Sequence, residues 1–444
     1  MNKFFKFYTY ETNFKTELIA GITTFLTMAY ILGVNVGILS TAGLPANAVF
    51  LATAISAAVA CIFMGFYSNS PVALAPGMGL NAFFTYTVVL EYGYTWQEAL
   101  AMVFLSGVIF LLISLLGLRK LIIDSIPVGL KQSIGAGIGF FIAFIGLVKM
   151  GVIVANPATL VTLRNFKNPT VLLALFGLFI TIILMSLEFK SGIFIGLFIT
   201  AIVGIILNKA GITGMPATPT KIVSIQFDTS AIGAFLDGLK SIMNKPQTII
   251  VVFTMLFVDF FDTAGTLIAV TNKINNNGRK NYDMDKMFYS DAIGTIVGSA
   301  LGTSNVTSYI ESTSGVAVGG RTGLTSIIVG LLFLLSTLFS PLLTVISGIE
   351  VNGVFLEPVV APSLVVVGIL MATQLSNVDW RDFSTAAAGF ITIVVMILSY
   401  SIADGIAAGF IVYVLSKLFT SKRKKIGKVV WLLFIIFLIY FITR

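Results

Sequence analysis

The chain has no histidine, a single cysteine (Cys61) and few charges: Asp, Glu, Lys and Arg make up 10% of its 444 residues, against about 25% in an average soluble domain. Each scarcity excludes a class of protein. So little charge excludes a soluble enzyme. Without His, and with one Cys, there is no Ser-His-Asp or Cys-His catalysis, no disulfide framework and no His/Cys metal site. What the chain has instead is apolar: 57% of residues are hydrophobic, with 38 Phe and 41 Gly, and the mean hydropathy is +1.01.

Those apolar residues come in runs. No Asp, Glu, Lys or Arg occurs from Leu18 to Leu90, nor from Thr322 to Ile349. A bilayer needs about 20 apolar residues per helical span, so the chain reads as an all-α polytopic membrane protein. The net charge of +8 fits the cytoplasmic excess of Lys and Arg in such proteins better than nucleic-acid binding, because no soluble basic domain accompanies it. Residues 1–16 mix Lys3, Lys6, Glu11 and Lys15 with aromatics and read as a cytoplasmic tail, without a removable signal. The expected location is the cell membrane.

Fourteen segments fit as spans. Seven fill residues 17–208: Leu18 to Ser40, Asn47 to Tyr67, Val72 to Leu90, Ala99 to Leu118, Ser133 to Met150, Thr170 to Leu187 and Gly192 to Asn208. Residues 209–246 form an extracytoplasmic loop. Seven more fill residues 247–419: Gln247 to Val270, Met287 to Gly302, Asn305 to Gly319, Thr322 to Phe339, Glu357 to Ala372, Ser384 to Ile402 and Gly405 to Leu418. An odd number of spans per half makes the duplicated unit an inverted repeat. With the N-terminus inside, most Lys and Arg, including Arg119, Lys120, Arg279, Lys280 and Lys422 to Lys425, fall on the cytoplasmic side. Residues 420–444 add a basic stretch and one more apolar segment, Val429 to Thr443, read either as a tilted span or as an interfacial helix.

The third segment of each half is broken. Ser68-Asn69-Ser70-Pro71 leads to Pro76-Gly77-Met78-Gly79, and Ser304-Asn305 leads through Glu311 to Gly315; both carry Ser-Asn, nine residues, then Gly. Interrupted backbone within a membrane is tolerated where protein covers it or where it lines a cavity, and matched interruptions in two halves point to a transporter's binding site. Each extended stretch is expected to lead into a half-helix at the midplane. Asn81, four residues after Gly77, is an amide able to donate and accept there.

Intramembrane acids mark the same place. Asp259 and Asp262 stand three residues apart on the eighth segment and Glu311 opens the tenth. An ionised acid at mid-bilayer costs about 2.5 to 3.5 kcal/mol on insertion scales, so a functional return is expected of them. Without His, these acids are the candidates for proton exchange. Asp291 and Asp404 read as structural partners or caps. Two lookalikes are excluded: Gly315 to Thr322 has Arg321 where a P-loop needs Lys, and Gly135-Ala136-Gly137-Ile138-Gly139 lies inside an apolar span, where small residues let helices pack closely.

Four blocks now stand out in order: Thr16 to Tyr30, Ala75 to Phe84, Phe257 to Thr266, and Thr307 to Gly315. Together with Tyr400 to Ile406 they resemble the AzgA-like purine permeases, a branch of the nucleobase:cation symporter superfamily. The resemblance implies the uracil-permease fold: 14 transmembrane segments as two inverted seven-span repeats, with a core domain of spans 1–4 and 8–11 and a gate domain of spans 5–7 and 12–14. It also implies proton-coupled uptake of hypoxanthine, guanine or adenine, often by homodimers, with no cofactor and no metal; sodium is the lesser alternative to the proton. Carried over by motif, Glu311 binds the base, the acid of the eighth span is Asp262 or Asp259, and Asn81 is the polar contact from the third span. Thr313 and Gly77, in the same blocks, complete the expected substrate set, with Glu311 and Asp262 as proton-coupling residues. The alternatives are a related carrier for xanthine, urate, uracil or an anion, or a passive facilitator. An aromatic such as Phe84 or Phe260 is expected to cover the face of the base.

Overall fold

The computed structural model describes residues 4–117, 127–164, 166–243, 245, 247–275, 282–351, 353–420 and 426–443. Arg119, Lys120, Arg279, Lys280 and Lys422 to Lys425, which the sequence assigned to one side of the membrane, lie outside them. A short helix, Phe7–Tyr10 (α1), precedes Phe14–Met28 (α2), Ile31–Thr41 (α3) and Ala46–Tyr67 (α4). Segment three is a strand, Leu74–Pro76 (β1), then a helix, Met78–Ala82 (α5), continued as a π-helix over Phe83–Glu91. Trp96–Leu115 (α6), Val128–Lys149 (α7), a hairpin of Ile153–Asn156 (β2) and Leu160–Leu163 (β3), Pro169–Ser186 (α8) and Gly192–Lys209 (α9) complete the first half.

The second half repeats the plan. A short helix, Phe235–Ile242 (α10), leads to Gln247–Asn275 (α11) and Met284–Leu301 (α12). Segment ten is again a strand, Val306–Ser308 (β4), and a short helix, Ser312–Ala317 (α13). Then follow Gly323–Ser336 (α14), Leu343–Ile346 (α15), a hairpin of Ile349–Val351 (β5) and Val354–Leu356 (β6), Ala361–Ala372 (α16), Phe383–Leu398 (α17), Ile402–Leu418 (α18) and Lys428–Thr443 (α19). Among the described residues, 8 helical segments are long and apolar enough to cross a membrane, and three shorter apolar helices accompany them.

Local chemistry explains where these helices begin and end. The Asn13 side chain accepts the amide of Thr16 at 3.0 Å, capping α2. Thr95 and Glu98 form a reciprocal capping box on α6, and the left-handed Gly302 (φ 103) closes α12. Apolar side chains then occupy both faces. On α8, Val171, Ala174 and Leu178 are buried while Leu172, Phe176, Phe179 and Ile183 are exposed. A helix apolar all round, with one face outside the protein, fits lipid and not water.

Close packing depends on the small residues. A Cβ on Gly368 of α16 would lie 2.4 Å from the carbonyl oxygen of Gly139 on α7, and one on Gly323 would lie 1.9 Å from that of Gly65. The glycines that imitate a dinucleotide loop are therefore part of a helix crossing. Two packing groups result: α4 lies on α14 and α12, and α6 on α12 and α11, while α7 lies on α16 and α17, and α18 on α17 and α19. The last helix runs antiparallel along α18, since Phe437 meets Phe410 at 5.3 Å and the Tyr440 hydroxyl donates to Asp404 at 2.6 Å.

Two details go beyond the sequence reading. The first span, Phe14–Thr41, is one helical segment with a tightened turn inside it: between α2 and α3 the chain makes i-to-i+3 bonds, from the Leu32 amide to the Ala29 carbonyl (3.2 Å) and from Gly33 to Tyr30 (3.1 Å). The long loop also contains α10, which packs on α6. Ser241 of α10, together with Lys245, bonds the Glu98 carboxylate.

Candidate functional site

The site starts from a backbone problem. Extended chain inside a membrane has amides and carbonyls with no helix to satisfy them and no water to replace it. The two broken segments solve it for each other. Strands β1 and β4 pair antiparallel, Leu74 opposite Ser308, Ala75 opposite Thr307 and Pro76 opposite Val306. The Gly77 amide donates to the Asn305 carbonyl at 2.8 Å and the Tyr309 amide to the Ala73 carbonyl at 2.9 Å. Side chains close the outer edge of β1. Cys61 Sγ accepts the Leu74 amide and donates to the Leu74 carbonyl, Ser312 Oγ accepts the Ala73 amide, and Ser326 Oγ donates to the Val72 carbonyl. The one cysteine is thus a buried partner of the strand.

This pairing corrects the register read from sequence. Aligning the halves on β1 and β4 puts the two Ser-Asn pairs out of step by about one helical turn. It brings Asn81 onto Thr313, and Gly79 onto Glu311, as positional equivalents. Gly77 is fixed by the crossing, since a Cβ there would lie 2.6 Å from Thr307 Cγ2.

Around the crossing the acids divide. Glu311 occupies the N-cap position of α13 and is half-buried, and Thr313 is half-buried one step into that helix. Asp262 is also half-buried, on α11, which packs on α13. Asp259 is buried, and its Oδ2 accepts from Asn305 Nδ2 at 2.9 Å and from Thr295 Oγ1 at 3.3 Å. Asp291 is buried too, accepting the Ser308 amide (2.8 Å), the Ser308 hydroxyl (2.9 Å) and the Thr263 hydroxyl (2.9 Å). Asp291 therefore braces β4 directly, while Asp259 holds the Asn305 side chain just before it through one oxygen, its buried Oδ1 making no hydrogen bond; Asp262 and Glu311 retain partial access.

The other expected residues fall as follows. Asn81 is fully buried, its Oδ1 accepting from the Ser304 hydroxyl, while its Nδ2 makes no hydrogen bond. Phe84 is buried, and Phe260 packs on Phe110 and Phe288 at 5.5 and 6.0 Å, so that ring is committed to the core. Sequence reasoning missed Tyr30, whose hydroxyl donates to Glu311 Oε1 at 2.6 Å, and it missed Ser304 and the Asn305 side chain. Only the Ser-Asn pair at the break drew attention to the latter two. Among the described residues, no group of three or more Cys, Asp or Glu side chains is arranged to hold a metal ion.

Paired strands crossing between two half-helices, with acids beside them, define a membrane carrier of the inverted-repeat type. The transmembrane domain of a cyanobacterial bicarbonate transporter, BicA, shares the fold, with a TM-score of 0.63 at 18% identity over 89% of this chain and 96% of that one. The murine anion transporter Slc26a9 in its inward-facing state gives 0.64 at 11% identity, over 92% of this chain and 69% of that one. The sequence decides the family: the Permease family profile matches residues 15–408, and the chain belongs to that family. It is 44% identical to the guanine/hypoxanthine permease PbuG of Bacillus subtilis, over 100% of this chain and 99% of that one. It is 40% identical to the adenine permease AdeP of Escherichia coli, over 99% and 95%.

Proposed function

We propose that this chain takes up purine nucleobases across the cell membrane by proton symport, binding the base beside Glu311 and Asp262. The observation that carries the reading is the division of the acids: Asp291 is spent on Ser308 of β4 and Asp259 holds Asn305 and Thr295 with one oxygen, while Asp262 and Glu311, on packed helices α11 and α13, are only half-buried. A purine is planar, nearly neutral and edged with N–H donors, and a carboxylate accepts such donors with up to about four lone-pair positions. Thr313 and Gly77 complete the proposed substrate set, and Asn81, whose amide nitrogen makes no hydrogen bond, is its proposed contact from the third segment. Relatives named as guanine/hypoxanthine and adenine permeases support the substrate class.

In this reading the α2, α3, α4, α6, α11, α12 and α14 group forms the core domain with the two broken segments. The α7, α8, α9, α16, α17 and α18 group forms the gate, and the N-terminus is cytoplasmic. Transport moves the core against the gate, and a proton taken up by Glu311 or Asp262 couples the movement to the gradient. Uptake of labelled hypoxanthine, with and without an imposed proton gradient, tests this. Accumulation that requires the gradient and is lost in Glu311→Ala is expected. Equilibration independent of the gradient assigns a facilitator instead, and wild-type uptake by Glu311→Ala removes the site.

A further inference from the structure

Tyr30 stands at the tightened turn where α2 passes into α3. No Gly or Pro occurs between Met28 and Ile31, yet α2 ends at Met28 and α3 begins at Ile31. At this turn the Tyr30 ring is 1% exposed and its hydroxyl reaches a residue 281 positions away in the chain, donating to Glu311 Oε1 at 2.6 Å. Among the described residues, no other residue's side chain bonds that carboxylate. The distance is held by packing: Gly315 of α13 lies so close to α2 that a Cβ on it would be 2.1 Å from Thr24 Oγ1 and 2.8 Å from the Ala20 carbonyl oxygen. The backbone under Glu311 therefore cannot drift from the segment that carries Tyr30.

We propose that Tyr30 is a positioning residue for substrate binding, holding Glu311 Oε1 so that Oε2 is presented to the N–H edge of the base. The inference rests on the assignment of Glu311 to the substrate site. A carboxylate on a flexible side chain samples several rotamers, and fixing one before the ligand arrives lowers the cost of binding. A hydroxyl pinned by burial does that with one charge-assisted bond. It also leaves the rest of the carboxylate's acceptor capacity unused.

The test is hypoxanthine uptake by Tyr30→Phe, Glu311→Asp, the double variant and Glu311→Ala, with the thermal midpoint of each purified protein measured alongside. Tyr30→Phe keeps the ring and removes only the donor. Glu311→Asp keeps a carboxylate but withdraws it by a methylene from the hydroxyl. The proposal expects KM to rise about tenfold in Tyr30→Phe, the worth of one modest hydrogen bond to a charged group, with Vmax within about twofold. It also expects no further rise when Tyr30→Phe is added to Glu311→Asp. An unchanged KM, a loss confined to Vmax, additive effects in the double variant, or a Tyr30→Phe protein that does not fold each overturns it. Failure of the site reading itself is distinct: Glu311→Ala would then transport like the wild type.

Discussion

Lys149 ends α7 and Glu357 precedes α16, and their side chains form an ion pair that is only 11% and 12% exposed. The same ammonium donates to the Gly37 carbonyl at 2.9 Å and to Thr41 Oγ1 at 3.2 Å, both on α3. A Cβ on Gly37 would lie 2.6 Å from Glu357 Oε2, so the carboxylate is wedged against the helix. Replacing Lys149 by Met leaves that carboxylate buried without its counter-charge, and breaking a buried pair in this way costs about 3–5 kcal/mol. Removing the Glu357 charge alone, as Gln, strands the ammonium at a similar cost. Removing both together costs much less, since a buried pair replaced by groups of similar volume is often near neutral. Denaturation of the purified wild type, Lys149→Met, Glu357→Gln and the double variant measures the coupling. Single variants each within about 1 kcal/mol of wild type, together with additive behaviour in the double, would refute the reasoning.

Other consequences follow from the same contacts. Gly323→Ala drives a methyl into the Gly65 carbonyl, 1.9 Å away; overpacking of this kind costs about 1–3 kcal/mol or more, read as a lower thermal midpoint and reduced membrane yield. Ser312→Ala orphans the Ala73 amide, bonded at 3.0 Å, and lowers stability by about 1–3 kcal/mol. The twin acids should separate by assay. Asp262→Asn abolishes hypoxanthine accumulation with a thermal midpoint near wild type, whereas Asp259→Ala lowers the midpoint because Asn305 and Thr295 lose their acceptor. The opposite pattern would exchange their roles.

Much of the fold was legible because insertion into a bilayer leaves a coarse record. Charge-free runs of about 20 residues marked the helices, and Pro76 and the glycines marked the breaks at β1 and β4. The tightened turn at Tyr30 left no such record, since Met28 to Ile31 are all compatible with a helix. Helix α10 is short, and its role depends on Glu98, far away in sequence. Within the candidate site, Asp259 and Asp262 were inseparable by pattern: three residues on a helix leave them about 60° apart on one face. That angle nonetheless buries one against Asn305 and leaves the other half-buried. The Ser-Asn match was real as text but not as register, because strand pairing rather than spacing aligns the two halves.

The central claim is that a purine binds at Glu311, and binding can be measured apart from transport. Purified protein is titrated with hypoxanthine at two pH values and followed by thermal shift, with Glu311→Gln beside it. A saturable shift in the wild type that Glu311→Gln loses, while its unliganded midpoint stays close to that of the wild type, is the predicted result. Absence of a shift with any purine at either pH, or an equal shift in Glu311→Gln, would contradict it.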